Sequence, residues 1–354
     1  MLKNKKLILA ISIIPQYLIV KLLSKYPDIV ENYYSHGIYP LISKTFRFAF
    51  GWIPFSIGDV FYTLIVIYIL RWLFVNRKRI INDTKAWLID IFSALAMLFF
   101  IFHLFWGMNY YRLPVHESLG IDNKYTSEEL VRVSKKLIKT ANEIHFRITK
   151  NDTIKITIPY SKQKLLKMTS NGYENLKNKY PQLAYSPRSA KQSLYSLPLT
   201  YMGFSGYLNP FTNEAQIDGL IPLHKFPTTA CHEEAHQVGY AAENETNFIG
   251  CLATIFNDDS YFKYSGYIFA VRHCLNEVYK RDREQYKTLI AQVNPGIRKN
   301  YQESRDFWDA YENPFEPLFK STYNEFLKAN NQSKGIKSYS YAVALMVNYF
   351  ETAL

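Results

Sequence analysis

The chain is poor in cysteine: its 354 residues include only Cys231, Cys251 and Cys274, too few for a disulfide scaffold. All three fall in apolar helical patterns and read as small buried hydrophobes, with a Cys251–Cys274 bridge as the alternative in an oxidising compartment. Internal repeats and low-complexity linkers are also missing, so neither a repeat array nor a string of tethered modules is expected. No small-residue cleavage site follows the first apolar run, which therefore reads as a signal anchor. Despite a net charge of +12, no basic, aromatic-interleaved recognition motif stands out, and nucleic acid is not an expected partner. Part of that charge is topogenic. The rest is spread over helices that also carry Asp and Glu, which suits anionic lipid headgroups or a solvated surface.

What the chain has in quantity is apolar side chain, 48% hydrophobic and 16% aromatic, and it is unevenly placed. Residues 7–23 follow Lys3, Lys5 and Lys6. Residues 53–75 contain the uninterrupted run 60–70, with Arg71 placed to snorkel. Residues 87–106 carry the Ala-Met-Leu-Phe-Phe-Ile-Phe core. Each approaches the ~20 residues that a bilayer-spanning helix needs. Lys3, Lys5 and Lys6 precede the first run, and Arg77, Lys78, Arg79 and Lys85 lie between the second and third, so these flanks belong in the cytoplasm. Residues 26–52 are then expected as a long outer loop, and everything after Trp106 is expected outside. The division that follows is a membrane region over residues 1–110 with three transmembrane helices, and an exoplasmic or periplasmic domain over residues 111–354 at the inner membrane.

His232-Glu233-Glu234-Ala235-His236, followed by Gly239 and Glu243, carries the chemistry. At about 100° per residue, His232 and His236 lie one turn apart on one helix face, and Glu233 sits beside them. Two neutral imidazoles and a carboxylate suit Zn2+, and a fourth position left to water makes an open, catalytic arrangement. Glu233 is the expected general base toward that water. Pro227 and Thr228 make a first helical turn, and Gly239 a C-terminal stop. If the helix continued, Glu243 would lie ~10 Å beyond His236, so the chain must turn near Gly239 for it to join. Glu243 is the expected third ligand, with Glu245 on the opposite face of the next helix as the alternative. Glu243 shares its face with Asn247, Gly250 and Thr254, small residues that let two helices approach.

Around the motif, residues 126–129 make a capping box ahead of a five-turn amphipathic helix. Residues 152–159 alternate Ile154, Ile156 and Ile158 with polar residues, as a strand does. A second amphipathic helix is expected near residues 161–180. Residues 194–221 read as strands and a hairpin, including an edge strand able to align an extended substrate. Helical patterns occupy 242–256, 261–279, 282–293, 296–311, 315–327 and 339–350. The expected fold is α+β: three transmembrane helices, then a mostly helical domain with a small sheet.

In several of these segments the chain resembles an uncharacterised family of bacterial membrane proteins, the domain of unknown function 3810. They are Pro54-Phe55-Ser56-Ile57-Gly58-Asp59, Trp106-Gly107-Met108-Asn109-Tyr110-Tyr111-Arg112, Gly206-Tyr207-Leu208-Asn209-Pro210-Phe211-Thr212, the His232 motif and Ser338-Tyr339. Separately, Glu243-Asn244-Glu245-Thr246-Asn247 is similar to the Glu-x-x-x-Asp or Glu-x-x-x-Asn element of gluzincin peptidases. That resemblance implies a zincin-like fold, with Glu243 as ligand and Asn247 orienting a ligand histidine. The gap between His236 and Glu243 is shorter than in gluzincins.

The expected function is a membrane-anchored zinc metallopeptidase acting on peptide or protein outside the membrane. A non-enzymatic scaffold or receptor with a retained peptidase fold is the alternative, but it has no need of the general base Glu233. Three runs without an internal repeat speak against a transporter. Intramembrane proteolysis is disfavoured because Glu234, Gln237, Glu243, Asn244 and Glu245 crowd the motif and are expected to need an aqueous surround. Tyr201, Tyr207, Tyr240, Tyr339 and His224 are candidates to assist an oxyanion, and nothing in the sequence selects among them. Substrate and oligomeric state are not legible.

Overall fold

In a computed structural model, the structure describes residues 2–331 and 339–354, mostly helical with one three-stranded sheet. Helices α1 (Leu2–Ile11) and α2 (Ile13–Leu23) form the first apolar rod. A short α3 (Pro27–Ile29), a π-helix (Val30–Ile38) and α4 (Tyr39–Phe50) follow, so residues 26–52, expected as a loop, are helical. The reason is amphipathicity. Tyr39, Ser43 and Arg47, on one face of α4, are buried against the folded domain, while Leu41, Phe48 and the nearby Trp52 are exposed.

The second rod, α5 (Ile57–Asn76), begins where the Ser56 side chain accepts from Asp59 N, a normal N-cap. After α6 (Arg79–Asn82), the third rod, α7 (Thr84–Phe105), is capped in the same way by Asp83. Three helices, Lys5–Leu23, Ile57–Asn76 and Thr84–Phe105, are long and apolar enough to cross a membrane, and their side chains are mostly turned outward. Lys6 and Arg79 both meet Asp90, at 2.6 and 2.9 Å, clamping the rod ends farthest from the folded domain.

Beyond α8 (Val115–Leu119), the Thr126–Glu129 capping box opens α9 (Ser127–Thr149). Residues 152–159, expected as a strand, form none: 152–154 are bends and 155–159 have no regular secondary structure. Asn300 satisfies this backbone instead, accepting from Ile156 N at 3.1 Å and donating to Ile156 O at 3.1 Å. Ser161 caps α10 (Lys162–Lys177). The sheet has the order β1 (Ala190–Gln192), β3 (Glu214–Ile217), β2 (Gly206–Asn209). β1 is parallel to β3, and β2 is antiparallel to it, with Gly206 opposite Ile217 and Asn209 opposite Glu214. A helix, α11 (Ser196–Met202), interrupts the region expected to be all strand and hairpin. It ends at Gly203, whose φ of 78° is a left-handed stop.

Helices α12 (Phe226–Val238), α13 (Glu243–Phe256) and α14 (Ser260–Arg281) form the centre of the main core, packed by α9, α10 and α18 (Tyr339–Ala353). Between α14 and α18 run α15 (Arg283–Ala291), α16 (Pro295–Asp309) and α17 (Glu316–Ala329). The three cysteines are buried and free, so the Cys251–Cys274 bridge is not formed.

One buried carboxyl ties α12 to α10: Glu234 accepts from Thr169 Oγ1 at 2.6 Å. Burial pushes its pKa up to about 8, against the pull of the Thr169 bond, Arg188 and Arg47. The folded state therefore holds a proton that the unfolded chain releases near pH ~4.3, and stability falls as pH rises from there toward 8. Thermal unfolding of Glu234→Gln between pH 5 and 8 should lose less Tm than the parent does over the same range; equal slopes would contradict this account.

Candidate metal centre

α12 ends at Gly239, where φ is 105°, a conformation glycine adopts at little cost. The chain reverses there and re-enters as α13, whose first residue is Glu243. The return is tight because Gly250 has no side chain: a Cβ there would lie 2.7 Å from His232 N and 2.8 Å from His232 Cα. This close approach brings the third acidic group to the histidines. Glu243 Oε2 lies 3.3 Å from His232 Nε2, and Glu243 Oε1 lies 3.6 Å from His236 Nε2. Glu245 goes elsewhere, accepting from Val115 N at 2.7 Å.

The donor set fits a metal. Two ligands each ~2.0–2.1 Å from a tetrahedral ion are about 3.3 Å apart, close to the observed separations. His236 Nδ1 faces the Tyr240 carbonyl oxygen at 2.8 Å, and only a protonated Nδ1 can make that bond. Nε2 of the same ring is then turned toward the Glu243 carboxylate, 3.6 Å from Oε1. A proton or a metal cation held between Nε2 and the carboxylate satisfies both groups. Atoms of His232, Glu233 and His236 also lie within 4.8 Å of one another.

Glu233 is buried, and its Oε2 has no hydrogen-bond partner. Burial raises its pKa to about 7, against the lowering pull of His232 and His236, which suits a proton acceptor at neutral pH. Glu243 behaves oppositely: burial works upward, and the two imidazoles outweigh it and hold the carboxyl well below its usual range. Beside Glu233 runs the backbone of β2. A Cβ on Gly206 would come 2.6 Å from Glu233 Oε1, so only glycine lets this edge strand pass so near the carboxylate.

Asn247 lines the same cavity as the histidines, but it makes no hydrogen bond to either of them among the described residues; Tyr240 O holds His236 instead. Of the hydroxyls weighed from sequence, Tyr207 bonds Asp59, and Tyr201 points its ring at Tyr311. His224 faces Ser304 Oγ at 2.8 Å. The side chain of Tyr339 lies outside the described residues. The hydroxyl that reaches the centre is Tyr323 of α17, 2.5 Å from Glu243 Oε1. It lies 80 residues from Glu243 and carries no local signal. The polar residues around the motif are not solvated as expected: Glu234, Gln237 and Glu245 are buried. Thr169 serves Glu234, Tyr185 and the Ser189 and Asn213 carbonyls serve Gln237, and Val115 N serves Glu245.

The sequence matches the family described as protein of unknown function DUF3810 over residues 34–347, and the chain belongs to that family. No curated protein and no solved structure matches it. The matched stretch includes α4 and the domain-proximal ends of α5 and α7, together with both site helices.

Gly250→Val places branched carbons against the backbone of His232, which cannot move aside. The variant is expected to lose ~1–3 kcal/mol of stability, read as a lower denaturation midpoint; an unchanged midpoint would mean that α13 does not need this approach.

Proposed function

We propose that the protein is a zincin-like metallopeptidase held in the cytoplasmic membrane by three transmembrane helices, with its active site outside. The observation that carries this reading is the convergence of two imidazole Nε2 atoms and the Glu243 carboxylate, with an unpartnered Glu233 beside them. His232, His236 and Glu243 would hold zinc, the ion that two nitrogens and a carboxylate with one open position favour. Bound there, zinc supplies Lewis-acid stabilisation of a developing oxyanion and makes water acidic at neutral pH.

The chain's own groups account for the rest of the reaction. Glu233 takes the proton from water as the water oxygen bonds to the carbonyl carbon, and returns it to the amide nitrogen as the C–N bond breaks. The outer edge of β2, unpaired by any strand among the described residues, offers backbone groups to an extended peptide. Tyr240 O fixes the His236 ring, and Tyr323 fixes the Glu243 carboxylate. Basic residues at Lys5, Lys6, Arg77, Lys78 and Arg79 support a cytoplasmic location for the far ends of the rods.

Metal analysis of the purified full chain should give about one zinc, lost in His232→Ala, His236→Ala and Glu243→Ala. Glu233→Gln should keep the metal and lower peptide hydrolysis by ~10²–10⁴; loss of zinc in that variant, or full activity, would overturn its assignment as base. For orientation, a reporter active only outside the cytoplasm should work when fused after Arg112 and be silent near Lys78. The reverse pattern would place the site in the cytoplasm.

A further inference from the structure

The candidate metal centre lies against the end of the third rod, which touches it. Trp106, the residue after α7, donates from Nε1 to His236 O at 3.2 Å, and its ring stands edge-on to the His236 ring with centroids 5.9 Å apart. A single cavity of about 2150 Å³ runs from His232, Glu233 and His236 down between the apolar helices. Each rod contributes one helical face. Ile13, Tyr17 and Val20 come from α2, Tyr62, Ile65 and Val66 from α5, and Leu95, Leu98, Phe99 and Phe102 from α7, spaced by three or four residues as a helix face requires.

The rods form a wedge. The first packs along the third, where Ser93 Oγ donates to Lys6 O at 2.8 Å. The second meets the third through Trp72 and Trp87, 6.1 Å apart, near the ends away from the domain. Toward the domain the second rod diverges to the sheet instead, where Tyr62 stacks on Tyr207 of β2 at 6.2 Å. Every rod residue that lines the cavity falls in the half of its helix nearer the domain or at its middle. On α7 the lining runs from Leu95 to Trp106, ~16 Å at ~1.5 Å per residue, about half of the ~30 Å hydrocarbon core.

We propose that this groove receives an acyl chain from the outer leaflet, and that the substrate is a peptide carrying such a chain, led from the groove onto β2 and the metal centre. This rests on the hydrolase reading and names its substrate class. A groove one leaflet deep fits a lipid tail, which crosses one leaflet; a transmembrane segment would need a path through both. A tail also brings no backbone polar groups into the hydrocarbon. The scissile bond would then lie close to the anchor, since Trp106 puts His236 directly above the groove.

The test uses the full chain carrying Glu233→Gln, in vesicles of phosphatidylethanolamine and phosphatidylglycerol. The probe is a randomised octapeptide bearing an N-terminal palmitoyl chain with a photoreactive diazirine. Labelling should map to the groove faces at Tyr17, Tyr62, Val66, Leu95 and Phe99, and excess palmitoylated peptide should suppress it better than excess palmitate does. Equal labelling of the outward residues Leu64, Ile67, Phe92 and Phe100, or equal competition by palmitate, would mean that the groove holds ordinary lipid and would overturn the proposal. In the parent protein, kcat/KM for the palmitoylated peptide should exceed that for its acetylated counterpart by at least about tenfold, the effect of burying roughly two methylenes. Equal cleavage of both peptides without groove labelling overturns the inference and leaves the hydrolase reading standing. Groove labelling with cleavage of neither peptide supports the groove and overturns the hydrolase reading.

Discussion

The structure turns on how the last carbonyls of the motif helix are satisfied. A helix end leaves four carbonyl oxygens without intrahelical partners, and at α12 that end is buried beside the second histidine. Backbone bonds from Gly239 N to His236 O and from Tyr240 N to Ala235 O take part of the load. The remaining donors come from the membrane side of the chain. Tyr39 Oη reaches Gln237 O at 2.9 Å, Ser43 Oγ reaches the same oxygen at 3.2 Å, Trp106 Nε1 reaches His236 O, and Arg112 Nη1 reaches Gly239 O at 2.9 Å. Arg112 is itself held by a bidentate pair with buried Glu31, at 2.9 and 2.6 Å. Bonds of this charged, two-pronged kind fix geometry as well as contribute energy. The apolar rods and the candidate metal site are therefore joined by packing and hydrogen bonds that cross the composition boundary near residue 110.

Local chemistry made much of this legible. The Thr126 capping box, the Ser161 cap and the periodic apolar residues of α9, α10 and α13–α16 are short-range signals, and the elements follow them closely. The turn at Gly239 and the small face of α13 were readable for the same reason: a required reversal and a required close approach both leave glycine behind. Long-range satisfaction was not legible. Ile154, Ile156 and Ile158 alternate as a strand does, yet the pattern records only which side chains are buried; Asn300 replaces the missing strand. Residues 26–52 read as a loop from their position between two apolar runs, and only the partners on α12 show why Tyr39 and Ser43 share a buried helix face. The contact of Tyr240 O with His236 Nδ1 was equally illegible, since the resemblance to a short motif carried no information about it.

Several segments that a sequence reader would mark as family-like have physical roles in the joint between rods and domain. Glu214 of β3 accepts from Ile57 N and Gly58 N, at 3.3 and 2.5 Å, so a carboxylate sits at the N-terminus of α5, where the helix dipole favours it. Lys191 Nζ lies 2.8 Å from that carboxylate and also donates to Phe50 O and Phe55 O. Asp59 accepts from Ser193 Oγ and Leu194 N, at 3.0 and 2.7 Å, and from Tyr207. The second rod is thus bolted to the sheet that borders Glu233, as the third is bolted to the helix that carries His236.

The crowd of polar residues around the motif bears on depth in the membrane. An unpaired carboxylate or amide in a low-dielectric surround is costly, and such groups ordinarily argue for an aqueous setting. Here Glu234, Gln237 and Glu245 spend their hydrogen-bonding capacity on Thr169, Tyr185 and Val115 N, inside the protein. Of the residues on and just after the motif, His232, Glu233, His236 and Glu243 face the cavity. Most of the hydrogen bonding of the supporting residues Glu234, Gln237 and Glu245 is thus internal, although Glu234 Oε2 has no partner, and the indole of Trp106 rests against His236, donating to its carbonyl oxygen. A candidate metal site whose neighbours bond mainly within the protein depends less on solvent than one whose neighbours do not, which is compatible with its packing directly against the end of an apolar helix.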